Sequence, residues 1–166
     1  CYPKWNIWFP SKDTGIDLLV TNSRNTKSVS VQVKYLKDFN PTHRPALIQH
    51  RLAAAGWWTH QESKIRNSRA DFWVFVLTSF TDGETSFIII TPKELLRRLN
   101  SIHGTEGKRI QSYLWTTKSK HCWEARNLGI ADQQRIAFDQ FNEETRDFAP
   151  FLYAWSALEQ TTQKMT

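Results

Sequence analysis

The chain has 166 residues, enough for one domain with a buried core that needs no disulfide or metal staple. Its 40% hydrophobic and 13% aromatic content excludes a disordered tail, and no apolar run reaches membrane-spanning length. A net charge of +6 and a pI of about 9.5 favour a polyanionic partner, above all nucleic acid.

Trp5 to Phe9 is short, aromatic and β-prone, and Pro10 ends it. Ser11 to Gly15 reads as a turn through Asp13 and Gly15, Ile16 to Thr21 as a strand, and Asn22 to Lys27 as a polar loop. Ser28 to Tyr35 alternates strictly and is a third strand, so these pieces form an antiparallel meander. After a loop from Phe39 to Pro45, the stretch from Pro45 to about Lys64 predicts a helix. Ala46, Leu47, His50, Leu52, Ala53, Ala54, Trp57 and Trp58 crowd one side at helical spacing, and Gly56 is its weak point. Of the adjacent pair Trp57 and Trp58, one is expected in the core and the other outside. Asp71 to Phe80 is nearly continuous apolar, as a buried central strand is. A turn at Asp82-Gly83 leads to a buried strand over Phe87 to Ile90. Thr91-Pro92-Lys93-Glu94 then opens a helix, with Thr91 as N-cap, Pro92 at the first position and Glu94 completing a capping box. Tyr113 to Thr116 predicts a strand; Ala131 to Asn142 and Ala149 to Leu158 predict helices.

A helix between a meander and a buried strand is a crossover. The expected class is therefore α/β: a central mixed sheet flanked by helices, in one domain over 1–166. Its core spans 5–100, and 101–166 is a mostly helical extension without an assigned role.

The two cysteines, Cys1 and Cys122, form no CxxC and imply neither a disulfide framework nor a zinc knuckle. His43, His50 and His60 lack zinc spacing, and His60 is expected at the surface. No signal peptide is visible, which gives a cytoplasmic expectation. The only methionine is Met165, so the chain is expected to be a piece of a longer or processed one.

Chemistry concentrates on the first strands. Along Ser28 to Tyr35, Val29, Val31, Val33 and Tyr35 face one way and Ser28, Ser30, Gln32 and Lys34 the other. Gln32 and Lys34 thus share a face roughly 6 to 7 Å apart. Asp17 sits in the neighbouring strand among apolar residues, where a carboxylate is costly without a partner. A hairpin brings it beside Gln32 and Lys34. Asp17, the Gln32 amide oxygen and the main-chain carbonyl of Val33 are hard oxygen donors of the kind Mg²⁺ takes, while Lys34 stabilises phosphate charge or helps to orient and deprotonate water. Such a set suits phosphodiester hydrolysis. Basic residues gather from Lys34 to Arg69, including Lys37, Arg44, Arg51, Lys64 and Arg66. Lys37, His43, Arg44 and Arg51 are weaker candidates for nucleic-acid contact.

The run Gly15-Ile16-Asp17-Leu18-Leu19-Val20, a short loop and Val31-Gln32-Val33-Lys34 resembles the PD-(D/E)XK nuclease superfamily, whose fold is restriction-endonuclease-like. That family carries an Asp on its second core strand and acid-x-Lys on its third; here the acid position is Gln32, giving D…QxK. Ala70 to Val76 resembles the family's fourth strand, and Phe87 to Leu99 its fifth strand and second helix. The resemblance spans about Trp5 to Leu99. It implies a Mg²⁺-dependent DNA endonuclease of restriction, homing, repair or mobile-element type, with Mn²⁺ as a substitute ion. Asp17, Gln32 and Lys34 are then catalytic, and Asp17, Gln32 and the Val33 carbonyl hold the metal. The expected partners are DNA and a second copy or the rest of a longer chain, with no membrane and no small-molecule cofactor. Two departures stand out: Ile16 replaces the Pro before the Asp, and the family's first helix has no counterpart after Cys1. With Gln32, the second of these motivates the alternative, an inactive nucleic-acid-binding module on the same fold.

Overall fold

The computed structural model describes residues 5–12, 14–41, 43–79, 83–104 and 109–163; the turn residues Asp13 and Asp82 lie outside them. The meander forms as the alternation dictates. Strand β1 (Trp5–Trp8) pairs antiparallel with β2 (Leu18–Asn22), and β2 with β3 (Ser28–Leu36). Next, β3 pairs in parallel with β5 (Phe72–Thr78), and β5 antiparallel with β6 (Thr85–Ile90). The result is a five-stranded mixed sheet in the order β1-β2-β3-β5-β6. The near-continuous apolar run Phe72 to Val74 is buried on both faces, as a central strand requires.

The helix expected over 45–64 does not form. Only Ala46–Gln49 is helical (α1); the chain then runs as strand β4 (Leu52–Gln61) and one helical turn, α2 (Glu62–Arg66). The partner of β4 is β7 (Arg109–Thr117), which in turn pairs with β8 (Cys122–Glu124) in a three-stranded antiparallel sheet. Long-range pairing overrides the local propensity of an Ala- and Leu-rich stretch. Gly56 acts as a seat rather than a weak point: a Cβ there would lie 2.2 Å from Cη2 of Trp58, so the Trp58 ring lies over the bare backbone. Neither ring of the pair is outside. Trp58 is in the core and Trp57 packs partly buried on the other face of β4.

Those two faces define the layers. One core joins β4 and β7 to β5, β6 and the helix α3 (Pro92–His103) through Ala54, Trp58, Phe75, Ile88, Leu95 and Leu114. A second core packs Leu52, Ala55, Trp115 and Ile136 between the three-stranded sheet, α1 and the helix α4 (Ile130–Ala137). A third covers the outer face of the five-stranded sheet with Leu158 and Trp155 at the helix α5 (Ser156–Gln163). The architecture is α/β with two sheets between helical layers. The parallel crossover from β3 to β5 therefore runs through a strand of the second sheet, where a helix was expected.

Thr91 caps α3 by accepting from Glu94 N at 3.2 Å, and Pro92 follows at the first position. The Glu94 carboxylate is held by Arg97 and Arg98. Beyond residue 100 the expected helical extension is half strand, because β7 and β8 are needed to cover β4. Of the helix expected over Ala149 to Leu158, one 3-10 turn (Ala149–Phe151) and the start of α5 form. Among the described residues no helix is long and apolar enough to cross a membrane.

Candidate active site

Gly15, at φ +79, turns the chain into β2 against Gln32; a Cβ on it would lie 3.9 Å from Gln32 Nε2. The antiparallel register of β2 and β3 ends with Leu18 opposite Val31, and Asp17 stands one residue before β2. Asp17 N donates to Val31 O at 2.9 Å, and Val33 N donates to Asp17 Oδ2 at 2.6 Å. The carboxylate thus takes the ladder position that β2 gives up as it diverges from β3. The N–H and C=O of one strand residue leave the same edge, so the Val33 carbonyl lies on the Asp17 side of β3. Val31 and Val33 pack into or against the third core, which leaves Gln32 and Lys34 on the opposite face of β3. Of the trio expected from alternation, Gln32 and Lys34 are half-buried and line one cleft, while Asp17 is exposed, is bonded to the Val33 N–H and is not among the described cleft residues.

Gln32 and Lys34 form one wall of an open cleft of about 930 Å³ between the two sheets. The Lys34 ammonium lies 4.5 Å from the centroid of the Trp73 ring, a cation–π contact. Trp73 is held in turn by its Nε1, which donates to Ser68 Oγ at 2.9 Å. The other wall comes from Thr59, His60 and Gln61 of β4 and Arg109 of β7, and α2 with the loop after it adds Lys64 and Arg69. His60, expected at the surface, is only 5% exposed. Its Nε2 lies 3.1 Å from Ser112 Oγ, and its ring packs against Trp73 and Phe75. Burial, and secondarily the Lys34 charge, push its pKa down to about 4, so it is a neutral imidazole at pH 7.

No protein-family model, no curated protein and no solved structure matches the chain.

The remaining candidates lie elsewhere. Arg51 precedes β4 at the end remote from the cleft and stacks 5.1 Å over Phe138. His43 and Arg44 precede α1, whose four residues are too few for a useful helix dipole. Lys37 follows the end of β3, is exposed and is not among the cleft residues. Sequence reasoning missed His60 and Arg109 as cleft residues. Both depend on the pairing of Gln61 with Arg109, which no local pattern reveals. Lys64 and Arg69 stood within the basic run from Lys34 to Arg69, which was a signal.

The donor set is consistent in kind with one hard cation. Asp17, the Gln32 amide oxygen and the Val33 carbonyl are all oxygens, and Mg²⁺ takes few protein ligands and keeps several waters. Its charge is low, a single carboxylate. Among the described residues no group of three or more His, Cys, Asp or Glu side chains is placed to hold a metal.

Proposed function

We propose that this chain is a metal-dependent endonuclease that hydrolyses phosphodiester bonds in DNA. The observation that carries the reading is the Asp17 carboxylate, anchored on Val33 N–H of β3, the strand whose Gln32 and Lys34 line a basic cleft. The D…QxK resemblance points the same way. In this reading Asp17, Gln32 and the Val33 carbonyl hold Mg²⁺, or Mn²⁺ in its place. The bound ion supplies charge neutralisation at the phosphate and activation of water. Lys34, seated on Trp73, donates to a phosphate oxygen as negative charge develops there. His60, neutral at pH 7, adds no competing charge beside Lys34.

The test is cutting of supercoiled and linear DNA in Mg²⁺, Mn²⁺ and EDTA, with Asp17→Ala and Lys34→Ala in parallel. Metal-dependent cutting lost in both variants is the expected result; undiminished cutting in both would sink the reading. Because Asp17 also accepts from Val33 N–H, a circular dichroism melt of Asp17→Ala keeps a folding defect apart from a loss of chemistry.

One feature favours a second reading, a binding module without catalysis: a neutral glutamine stands where a second carboxylate would raise metal affinity. That reading expects salt-sensitive DNA binding indifferent to Mg²⁺. A metal-dependent cut abolished by Asp17→Ala rules it out.

A further inference from the structure

Several arginines outside the cleft are ion-paired. Arg66 pairs with Glu62, Arg97 and Arg98 with Glu94, Arg135 with Asp132, and Arg146 with Glu124 and Glu143. In the cleft the pattern reverses. Lys64, Arg69 and Arg109 are exposed, and among the described residues none of them is in an ion pair. No carboxylate is among the described residues that line the cleft, whose other polar groups are amides and hydroxyls such as Gln61, Asn67 and Ser63. Like charges held together without counterions, on walls of low dielectric, focus a positive potential into the space between them. Such a space calls for an anion that carries several charges at intervals.

Its size narrows the choice. About 930 Å³ is the scale of a drug-sized ligand, which is a few linked nucleotides. Lys34 stands on the first sheet, Arg109 on the second, and Lys64 and Arg69 at the α2 end, so only a ligand that passes between the sheets meets all of them. Trp58 and Trp73, the aromatic rings of the cleft, are 5% and 2% exposed and form its walls rather than platforms for bases. Recognition therefore falls on the phosphate backbone.

We infer that the cleft takes a single strand of DNA, an unpaired segment or an end, with its phosphates on Lys64, Arg69 and Arg109, and leads it past Lys34 to Asp17. This inference rests on the nuclease reading for the chemistry at Asp17, but the binding is separable from cutting.

The test is fluorescence anisotropy in EDTA, where nothing is cut, with a labelled 12-nucleotide single strand, the duplex of the same sequence and an RNA of the same sequence. The single DNA strand is expected to bind at least ten times more tightly than the duplex. Arg69→Ala and Arg109→Ala are each expected to weaken it by three- to tenfold and to reduce the salt slope by about 0.7, the release from one single-strand phosphate contact. Arg135→Ala removes the same charge from α4, away from the cleft, and is expected to leave binding unchanged. Circular dichroism melts keep a folding defect distinguishable from a binding one. Duplex binding as tight as single-strand binding, tighter binding of the RNA, or an equal loss in Arg135→Ala would each overturn the proposal. Strand binding that depends on Arg69 and Arg109 in a protein that cuts nothing would keep the proposal and remove the nuclease reading. Cutting by a protein that prefers duplex would do the reverse.

Discussion

Two regions of the molecule treat charge in opposite ways. In the cleft, Lys64, Arg69 and Arg109 face solvent without carboxylate partners among the described residues, and the one imidazole is neutral. At the far edge of the three-stranded sheet, Glu124 is 0% exposed yet saturated with partners. Its Oε1 accepts from Tyr113 N at 2.9 Å and from Arg126 N at 3.2 Å, and its Oε2 from Arg146 Nη1 at 2.8 Å; His103 Nε2 lies 3.3 Å from Oε2 without a hydrogen bond. Arg146 Nη1 also donates to the carbonyls of Glu124 and Arg126 at 3.0 Å. A buried charge is tolerated only when paired and hydrogen-bonded, so the Glu124 cluster is a fixed part of the fold. Exposed cations without partners add little to stability and remain available to a ligand. The contrast separates charges that hold the protein together from charges that act outward.

The largest expected effect breaks the closed region. Glu124→Ala leaves the Arg146 guanidinium short of its main partner, and the buried Tyr113 N–H and part-buried Arg126 N–H without their carboxylate acceptor. It should cost about 3–5 kcal/mol in urea unfolding. Arg109→Ala, at the open region, should stay within about 0.5 kcal/mol of the parent. Equal losses would erase the distinction.

His60 tests the open region from within. Its folded pKa of about 4 lies below the ordinary 6.5. The unfolded chain therefore binds more protons between those values, and stability rises with pH across that window. The contribution is complete above about pH 6.5 and is lost as pH falls towards 4; its full size is on the order of 3 kcal/mol. His60→Gln should flatten the stability profile between pH 4 and 6.5, and an NMR titration of the His60 ring that placed its pKa near 6.5 would contradict the buried neutral state.

The same contrast explains what was legible in the sequence. The meander and the shared face of Gln32 and Lys34 could be read because strand alternation is local: Val29 and Val31 commit one side of β3 to the core and so commit Gln32 and Lys34 to the other. The stretch of β4 misled because both of its faces are buried, Ala54 and Trp58 on one and Ala55 and Trp57 on the other. A two-sided apolar run carries no period-2 signal, and its Ala and Leu residues favour a helix. Its partner β7 lies some fifty residues on in sequence. Everything that depends on that pairing was therefore hidden: the second wall of the cleft, the burial of His60 and the Glu124 cluster.

Gly56 sharpens the comparison from the strand that joins both regions. Gly56→Ala forces the Trp58 ring off its seat in a packed core, which should cost about 1–3 kcal/mol. The displaced ring lines the cleft, so strand binding should weaken with stability in this variant, although no charge has changed. Binding unaffected by the loss of stability would show that the wall formed by Trp58 is not part of the binding space.

The smallest effect concerns the path from Ser68 through Trp73 to Lys34. Ser68 Oγ accepts from Trp73 Nε1 at 2.9 Å and from Ala70 N at 3.3 Å, and the Trp73 ring seats the Lys34 ammonium. Ser68→Ala should cost about 1 kcal/mol, the usual net value of one hydrogen bond. Its informative readout is local. In a protein with ¹³C-methylated lysines, the Lys34 signal, assigned by its loss in Lys34→Arg, should lie upfield because the amine sits over the ring. Trp73→Phe should move it and Ser68→Ala should move it less, with Ser68→Thr restoring the parent position. If cutting is present, the same series should lower kcat several-fold and leave KM unchanged, because Lys34 is asked to act as charge develops rather than to bind the strand. A Lys34 signal indifferent to Trp73→Phe would remove the seat and leave the Lys34 charge to be positioned by β3 alone. A signal that responds to Trp73→Phe but not to Ser68→Ala would assign the ring's position to its packing on Phe75 and His60.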